Sequence, residues 1–313
     1  MRFFTKAVAA ALSASLILSV PIAASAEGGA SPPGEEMASA YSRNIDAHAA
    51  KNEYSLMRVS TKSVSSHSAL TLYYNSKMQS VSGRRINGVV YIPIRNFVDT
   101  AGVAQVSYNS VERRISVSGS GHNISVADGA YALYAAGRVI FSQTPSVILS
   151  DGRMYVPAES IARAFSLSFS DDGASARFIG TARAVLSADK YYAEDAVYWL
   201  SRIISAESRG ESLVGQIAVG NVILNRTRSA EFPSTIWGVI FDRRYGVQFS
   251  PVANGTIYNT PTSTSILAAK ICLEGFCVSD DALYFMAPSA ASSSWIERNR
   301  EYAFTIGGHD FYN

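Results

Sequence analysis

The stretch Ala193-Glu194-Asp195-Ala196-Val197-Tyr198-Trp199-Leu200-Ser201-Arg202-Ile203-Ile204-Ser205-Ala206-Glu207-Ser208-Arg209-Gly210 decides how the C-terminal part of the chain is read. Ala196, Leu200, Ile203 and Glu207 recur at spacings of four, three and four, and Val197, Trp199 and Ile204 widen the same stripe. This is the helical period, so an amphipathic helix is expected over 193–207, with Gly210 as its stop. Glu194, Asp195, Ser201, Arg202 and Ser205 are expected on its polar side. Glu207 falls on the apolar face, in the last turn. Burial and the negative end of the helix dipole both disfavour a carboxylate there, so its pKa should rise. An acid still protonated near neutral pH suits a glycosidic leaving group. The competing placement turns Glu207 outward, or pairs it with Arg202 or Arg209.

Downstream, Leu213 to Arg226 reads as a second helix. Gly215 and Gly220 lie inside it at a cost in helix stability, which predicts close packing there, with the Glu207 helix as the candidate neighbour. Glu211 follows Glu207 by four residues, but Gly210 intervenes, so a shared face does not follow. It is expected either to stabilise the start of the second helix or to orient Arg209 or a groove. A further helix from about Thr264 ends near Gly275, with Cys272 and Cys277 on either side. In an exported chain this spacing predicts a small disulfide.

Export is predicted from the first 26 residues. Arg2 and Lys6 precede an apolar run from Ala7 to Val20, Pro21 ends the run, and Ala24-Ser25-Ala26 supplies a small-residue cleavage site. The run is too short for a membrane span, which needs about 20 residues. Residues 27–66 are rich in Ser, Ala, Gly and Pro and read as a flexible tail or linker.

Residues 67–182 contain an internal repeat. Ile86-Asn87-Gly88-Val89-Val90-Tyr91-Ile92-Pro93 returns as Ser150-Asp151-Gly152-Arg153-Met154-Tyr155-Val156-Pro157, at an offset of 64 residues. Each copy is a turn, a short β run and a proline where a helix can begin. Helices are expected over 94–101 and 158–165, with strands following, among them 103–108 and 114–117. Residues 183–189 are expected to link this module to a C-terminal domain over 190–313. The expected fold class is therefore α+β.

Two resemblances follow from these residues. The repeat, with Val106-Ser107-Tyr108 and the more degenerate Leu167-Ser168-Phe169, resembles the domain named after the N-terminal region of copper amine oxidase. The segment holds only His67 and His122 and no cysteine, so no copper is expected, and it reads as a non-catalytic binding or spacer module. The string Ile204-Ser205-Ala206-Glu207-Ser208-Arg209-Gly210-Glu211, continued by Gly215-Gln216-Ile217-Ala218-Val219 and Val222-Ile223-Leu224-Asn225-Arg226, resembles the SleB/CwlJ cell-wall hydrolase family. Phe232-Pro233, Gln248-Phe249-Ser250-Pro251-Val252 and Ala282-Leu283-Tyr284-Phe285 extend the match; Ser208 departs from it. The resemblance implies a mostly helical, lysozyme-like catalytic domain with a sugar groove and Glu207 as the catalytic acid. It also implies Gln248, Phe249, Ser250 and Tyr284 along that groove, with Glu211 beside it. The implied partner is peptidoglycan glycan strands, cleaved between N-acetylmuramic acid and N-acetylglucosamine, in the cell wall or the spore.

Inverting or retaining hydrolysis would require a second carboxylate, and Glu211, Glu231 and Asp242 are the nearby candidates. A lytic transglycosylase needs only one, because the muramic C6 hydroxyl is the nucleophile. The latter chemistry is favoured, with no metal and no other cofactor. An amidase or endopeptidase is the first alternative. The histidines His48, His67, His122 and His309 are scattered, which argues against a metal site, but Cys272 with His309 could form a cysteine-peptidase pair. A non-catalytic wall-binding protein is the second.

Charge excludes one further class. The chain has a formal net charge of +2 and only 17% charged residues, which does not suit a nucleic-acid partner. Loss of Arg2 and Lys6 with the export signal brings the net charge to zero. Residues 27–183 then carry +3 and residues 184–313 carry −3. A mildly basic module could help hold an acidic catalytic half at an anionic wall.

Overall fold

The computed structural model describes residues 67–102, 104–288 and 295–313. The expected export signal over 1–26 and the tail over 27–66 lie outside the described residues. The described chain is mixed α+β.

The first copy of the repeat supplies β1 (Ser68–Tyr74), β2 (Lys77–Met78), β3 (Gly83–Ile86), β4 (Val89–Pro93) and α1 (Ile94–Ala101). Asn87 and Gly88 turn β3 into β4 with φ of 49° and 84°, the left-handed pair that a two-residue hairpin requires. The second copy supplies β10 (Val147–Ile148), β11 (Met154–Pro157), α2 (Ala158–Phe165), β12 (Ser168–Asp171) and β13 (Ser175–Ile179). Both helices have the expected bounds. Each starts directly after its proline and ends on a left-handed residue, Gly102 or Ser166. The equivalent strands pair with each other, Tyr91 against Pro157, Ile92 against Val156 and Pro93 against Tyr155. These pairs are symmetric about Ile92–Val156, so the sequence repeat becomes a local two-fold axis. The sheet runs β10-β11-β4-β3-β1-β13-β12, with β2 beside β1. Its core includes Ile92, Ile94, Phe97, Ile161, Phe165 and Phe178, all buried.

Between the copies runs an antiparallel meander of β5 (Gln105–Asn109), β6 (Arg114–Gly119), β7 (His122–Ala127), β8 (Ala132–Ala135) and β9 (Arg138–Phe141). His122 is buried against the Phe165 ring at 5.1 Å, and burial lowers its pKa, so it packs as a neutral imidazole. Among the described residues no group of three His, Cys, Asp or Glu side chains is placed to hold a metal.

Residues 183–189, expected to join the module to the C-terminal domain, are held against the module at two points. Ala182 and Val185 are buried in the module core, the Ala182 amide donates to the Tyr74 hydroxyl, and the Ala188 amide donates to the Ala136 carbonyl.

The C-terminal part contains α3 (Ala188–Tyr191), α4 (Glu194–Ser208), α5 (Leu213–Arg228), α6 (Ile236–Ile240), α7 (Ser250–Asn254), a 3-10 turn (Thr256–Tyr258), α8 (Ser263–Leu273) and α9 (Trp295–Asn299). It also contains a sheet of order β14-β16-β15, from β14 (Tyr284–Met286), β15 (Tyr302–Ile306) and β16 (His309–Tyr312), which the sequence pattern did not signal. α4, α5 and α8 bury Leu200, Ile203, Ile204, Ile217, Leu267 and Ile271 against one another. Gly220 is where they close in. A Cβ there would stand 2.8 Å from both Ile204 Cδ1 and Cys272 Sγ.

Ser201, Arg202 and Ser205, expected on the polar side of α4, are buried. The helix is enclosed on that side too, so its polar residues find partners inside the protein. The Ser205 hydroxyl accepts from the Thr262 amide, and the Arg202 guanidinium lies 3.7 Å from the centre of the Tyr198 ring.

Candidate active site

Glu207 sits in the last turn of α4, as the periodicity predicts, and is partly buried. Burial alone carries its pKa from 4.5 to about 7, and among the described residues no cation offsets this. Arg209 turns back to cap the helix, donating from Nε to the Ser205 carbonyl at 3.2 Å. A carboxyl whose pKa lies near neutrality can donate a proton and later accept one.

Of the three candidates for a second carboxylate, Glu211 and Asp242 are held by close partners. The Glu211 carboxylate accepts from the Gly308 amide at 3.1 Å and lies 3.6 Å from His309 Nδ1. It therefore clamps the β15–β16 turn, and does not orient Arg209. Asp242 is buried and takes the Arg244 guanidinium at 2.9 Å, which holds its pKa below the usual carboxylate value. Glu231 is exposed and lies 3.8 Å from Arg300. Sequence reasoning did not single out His309 for this clamp, although a Gly-Gly turn before it, 307–308, was a visible sign of close approach. Gly307 has φ of 59°, and a Cβ there would overlap Glu211 Oε2. Gly307→Ala is expected to cost about 2 kcal/mol through backbone strain and overpacking, read as a lower urea midpoint with an unchanged slope.

The expected groove residues divide. Ser250 is exposed at the start of α7, and Gln248 is half-buried with its amide donating to the Gly246 carbonyl at 3.2 Å. Phe249 and Tyr284 are buried. Both pack around Arg226, whose guanidinium lies 5.2 Å and 5.3 Å from their ring centres and 4.7 Å from that of Phe232. Arg226 Nε donates to the Leu283 carbonyl at 2.7 Å, and burial pushes its pKa down to about 10. This cation orders the aromatic cluster, and in the sequence it looked like an ordinary basic residue at a helix end. Asn221 and Asn225, five residues and one residue before Arg226 on α5, donate to the carbonyls of Phe276, Ser279 and Ala282.

The expected disulfide is corrected. Cys272 and Cys277 are free thiols. Cys272 faces the core and donates to the Ile217 carbonyl at 3.4 Å, while Cys277 donates to the Ser279 carbonyl at 2.9 Å. Burial pushes the Cys272 thiol well up and Cys277 to about 11, so neither is a ready thiolate. With both thiols donating to backbone carbonyls, the cysteine-peptidase pair has no support in the geometry of the described residues.

The partly buried Glu207 carboxyl, pushed up to about 7 by burial in the last turn of α4, is a candidate general acid. Residues 210–312 match the cell wall hydrolase family, and residues 73–179 match the copper amine oxidase N-terminal domain. The spore cortex-lytic enzyme of Bacillus cereus is 41% identical over 120 residues, which cover 38% of this chain and 45% of that protein. The spore cortex-lytic enzyme of Halalkalibacterium halodurans is 39% identical over 122 residues, covering 39% of this chain and 36% of that protein. The solved catalytic domain of the germination-specific lytic transglycosylase SleB from Bacillus anthracis is 40% identical, covering 39% of this chain and 97% of that one, with a TM-score of 0.36. The chain thus carries a cell wall hydrolase domain behind a copper amine oxidase N-terminal-like domain, and spans less than half the length of the curated relatives it matches.

Proposed function

We propose that the chain is an exported enzyme that cleaves peptidoglycan glycan strands between N-acetylmuramic acid and N-acetylglucosamine by lytic transglycosylase chemistry. The observation that carries this reading is the Glu207 carboxyl, pushed up to about 7 by burial, while Glu211 and Asp242 are held in contacts of their own. Glu207 protonates the glycosidic oxygen as the muramic C1–O bond breaks. The resulting carboxylate takes the proton from the C6 hydroxyl, and that oxygen bonds to C1. The acid is restored and no water is consumed, so no second carboxylate is required. Residues 190–313 serve as the catalytic domain, helix-dominated and lysozyme-like, and residues 67–182 as its companion module. Gln248 and Ser250 remain available to hydrogen-bond sugar groups.

The names of the relatives favour spore cortex over vegetative wall as substrate. Mass spectra of muropeptides released from both walls test the proposal. Products ending in 1,6-anhydromuramic acid are expected, and reducing ends without it would sink the transglycosylase reading.

A further inference from the structure

The module and the hydrolase domain meet at one buried acid. Glu274 follows α8 directly, and its side chain is fully buried. Arg138, on β9, donates to its two oxygens at 2.7 Å and 2.9 Å. Arg163, on α2, donates to the same carboxylate at 3.2 Å and to the Glu274 carbonyl. The Tyr192 hydroxyl donates at 2.8 Å. Around this point Lys270 donates to the Gly137 carbonyl, the Phe141 ring packs edge-on to Phe276 at 4.5 Å, and Ala132 and Val139 join the hydrolase core. Two arginines of the module therefore grip the C-terminal end of α8.

The N-terminal end of α8 reaches the Glu207 region. The Thr262 amide donates to Ser205 Oγ, two residues before Glu207 on α4. The Ser265 hydroxyl donates to Gln216 Oε1 at 2.8 Å, and Gln216 Nε2 donates to the Glu211 carbonyl at 3.0 Å. Glu211 in turn holds the Gly308 amide. α8 has 11 residues, so it spans about 16 Å between these two sets of contacts. Close packing at Gly220 leaves little slack between α8 and α4.

We infer that the module is a positioning element of the active site. Arg138 and Arg163 fix Glu274, and α8 transmits that fix as a strut to the Glu207 turn and the Glu211 clamp. The inference rests on the function proposed above only for its effect on turnover; the strut itself can be read without activity. The test uses the full chain carrying Glu274→Gln, with Arg163→Gln as a second variant, because Arg163 is partly exposed and its loss leaves no charge sealed in the core. Amide exchange and turnover on purified walls are measured on both. The expected result is exchange at least tenfold faster at Thr262, Gly308 and the last turn of α4, with a comparable fall in kcat and an unchanged KM. Faster exchange confined to residues 137–141 and 272–278, with kcat unchanged, would overturn the inference. A wild-type chain without lytic activity would refute the proposed function, while the exchange data would still decide the strut.

Discussion

Glu207→Gln is expected to reduce wall lysis by about a thousandfold while making the protein more stable above neutral pH. The first effect follows from losing the proton donor, since general acid catalysis typically contributes about 10²–10⁴-fold. The amide keeps the shape of the acid, so wall binding should persist. The second effect follows from burial. In the folded chain the carboxyl is carried from 4.5 to about 7, so the folded state favours the protonated form. Its contribution to stability is complete below pH 4.5 and declines as pH rises towards 7. Above that the ionised wild type bears a cost of up to roughly 3 kcal/mol, which the glutamine does not bear. Urea denaturation of both proteins at pH 4 and pH 8 should show a gap opening only at the higher pH. Wild-type turnover should fall across the same upper range, as the acid form disappears. Lysis that persists in the variant would remove Glu207 from the acid's role. Equal stability at pH 8 would mean that its carboxyl is not held in a desolvated site.

Local patterns in the sequence carried over well where each depends on near neighbours. The offset of 64 residues between the two turn-strand-proline segments became a dyad of paired strands. The proline starts set both short helices, and the helical period placed Glu207 in the last turn of α4. What was hidden depends on partners far away in the chain. The burial of Ser201, Arg202 and Ser205 on the polar side of α4 was not visible, because period alone does not reveal how many neighbours a helix has. Glu274 and Arg138 are 136 residues apart, and each looks like a surface charge until the fold brings them together. Arg226 likewise becomes an organising cation only once Phe232, Phe249 and Tyr284 surround it. The two cysteines flank a helix stop at a spacing that permits a bridge, but Cys272 lies on the inner face of α8, where core packing sets its direction.

Glu274→Ala is expected to destabilise the full chain by about 3–5 kcal/mol, because it breaks a buried ion pair from one side. Arg138 is almost wholly buried, so removing its partner leaves a guanidinium sealed from water without a counter-charge. Tyr192, also buried, loses the acceptor of its hydroxyl. Arg163 can turn towards solvent and recover part of its hydration, which keeps the cost from going higher. The cost arises from the orphaned groups more than from the lost attraction. Replacing both members of the close pair by apolar residues of similar size, Arg138→Met with Glu274→Met, should therefore be less damaging than Glu274→Ala alone. Urea denaturation of Arg138→Met, Glu274→Met and the double variant, beside Glu274→Ala, separates these contributions. A double variant as unstable as the sum of the singles would mean that the pair acts independently, and would contradict the buried contacts at 2.7 Å and 2.9 Å. Because those contacts join β9 to the end of α8, and Ala132 and Val139 share the hydrolase core, the loss should loosen both halves together. A spacer that merely carries a catalytic domain would have no reason to bury such a cluster at their junction. Its cost in desolvation makes sense where the geometry of one part must be fixed by the other.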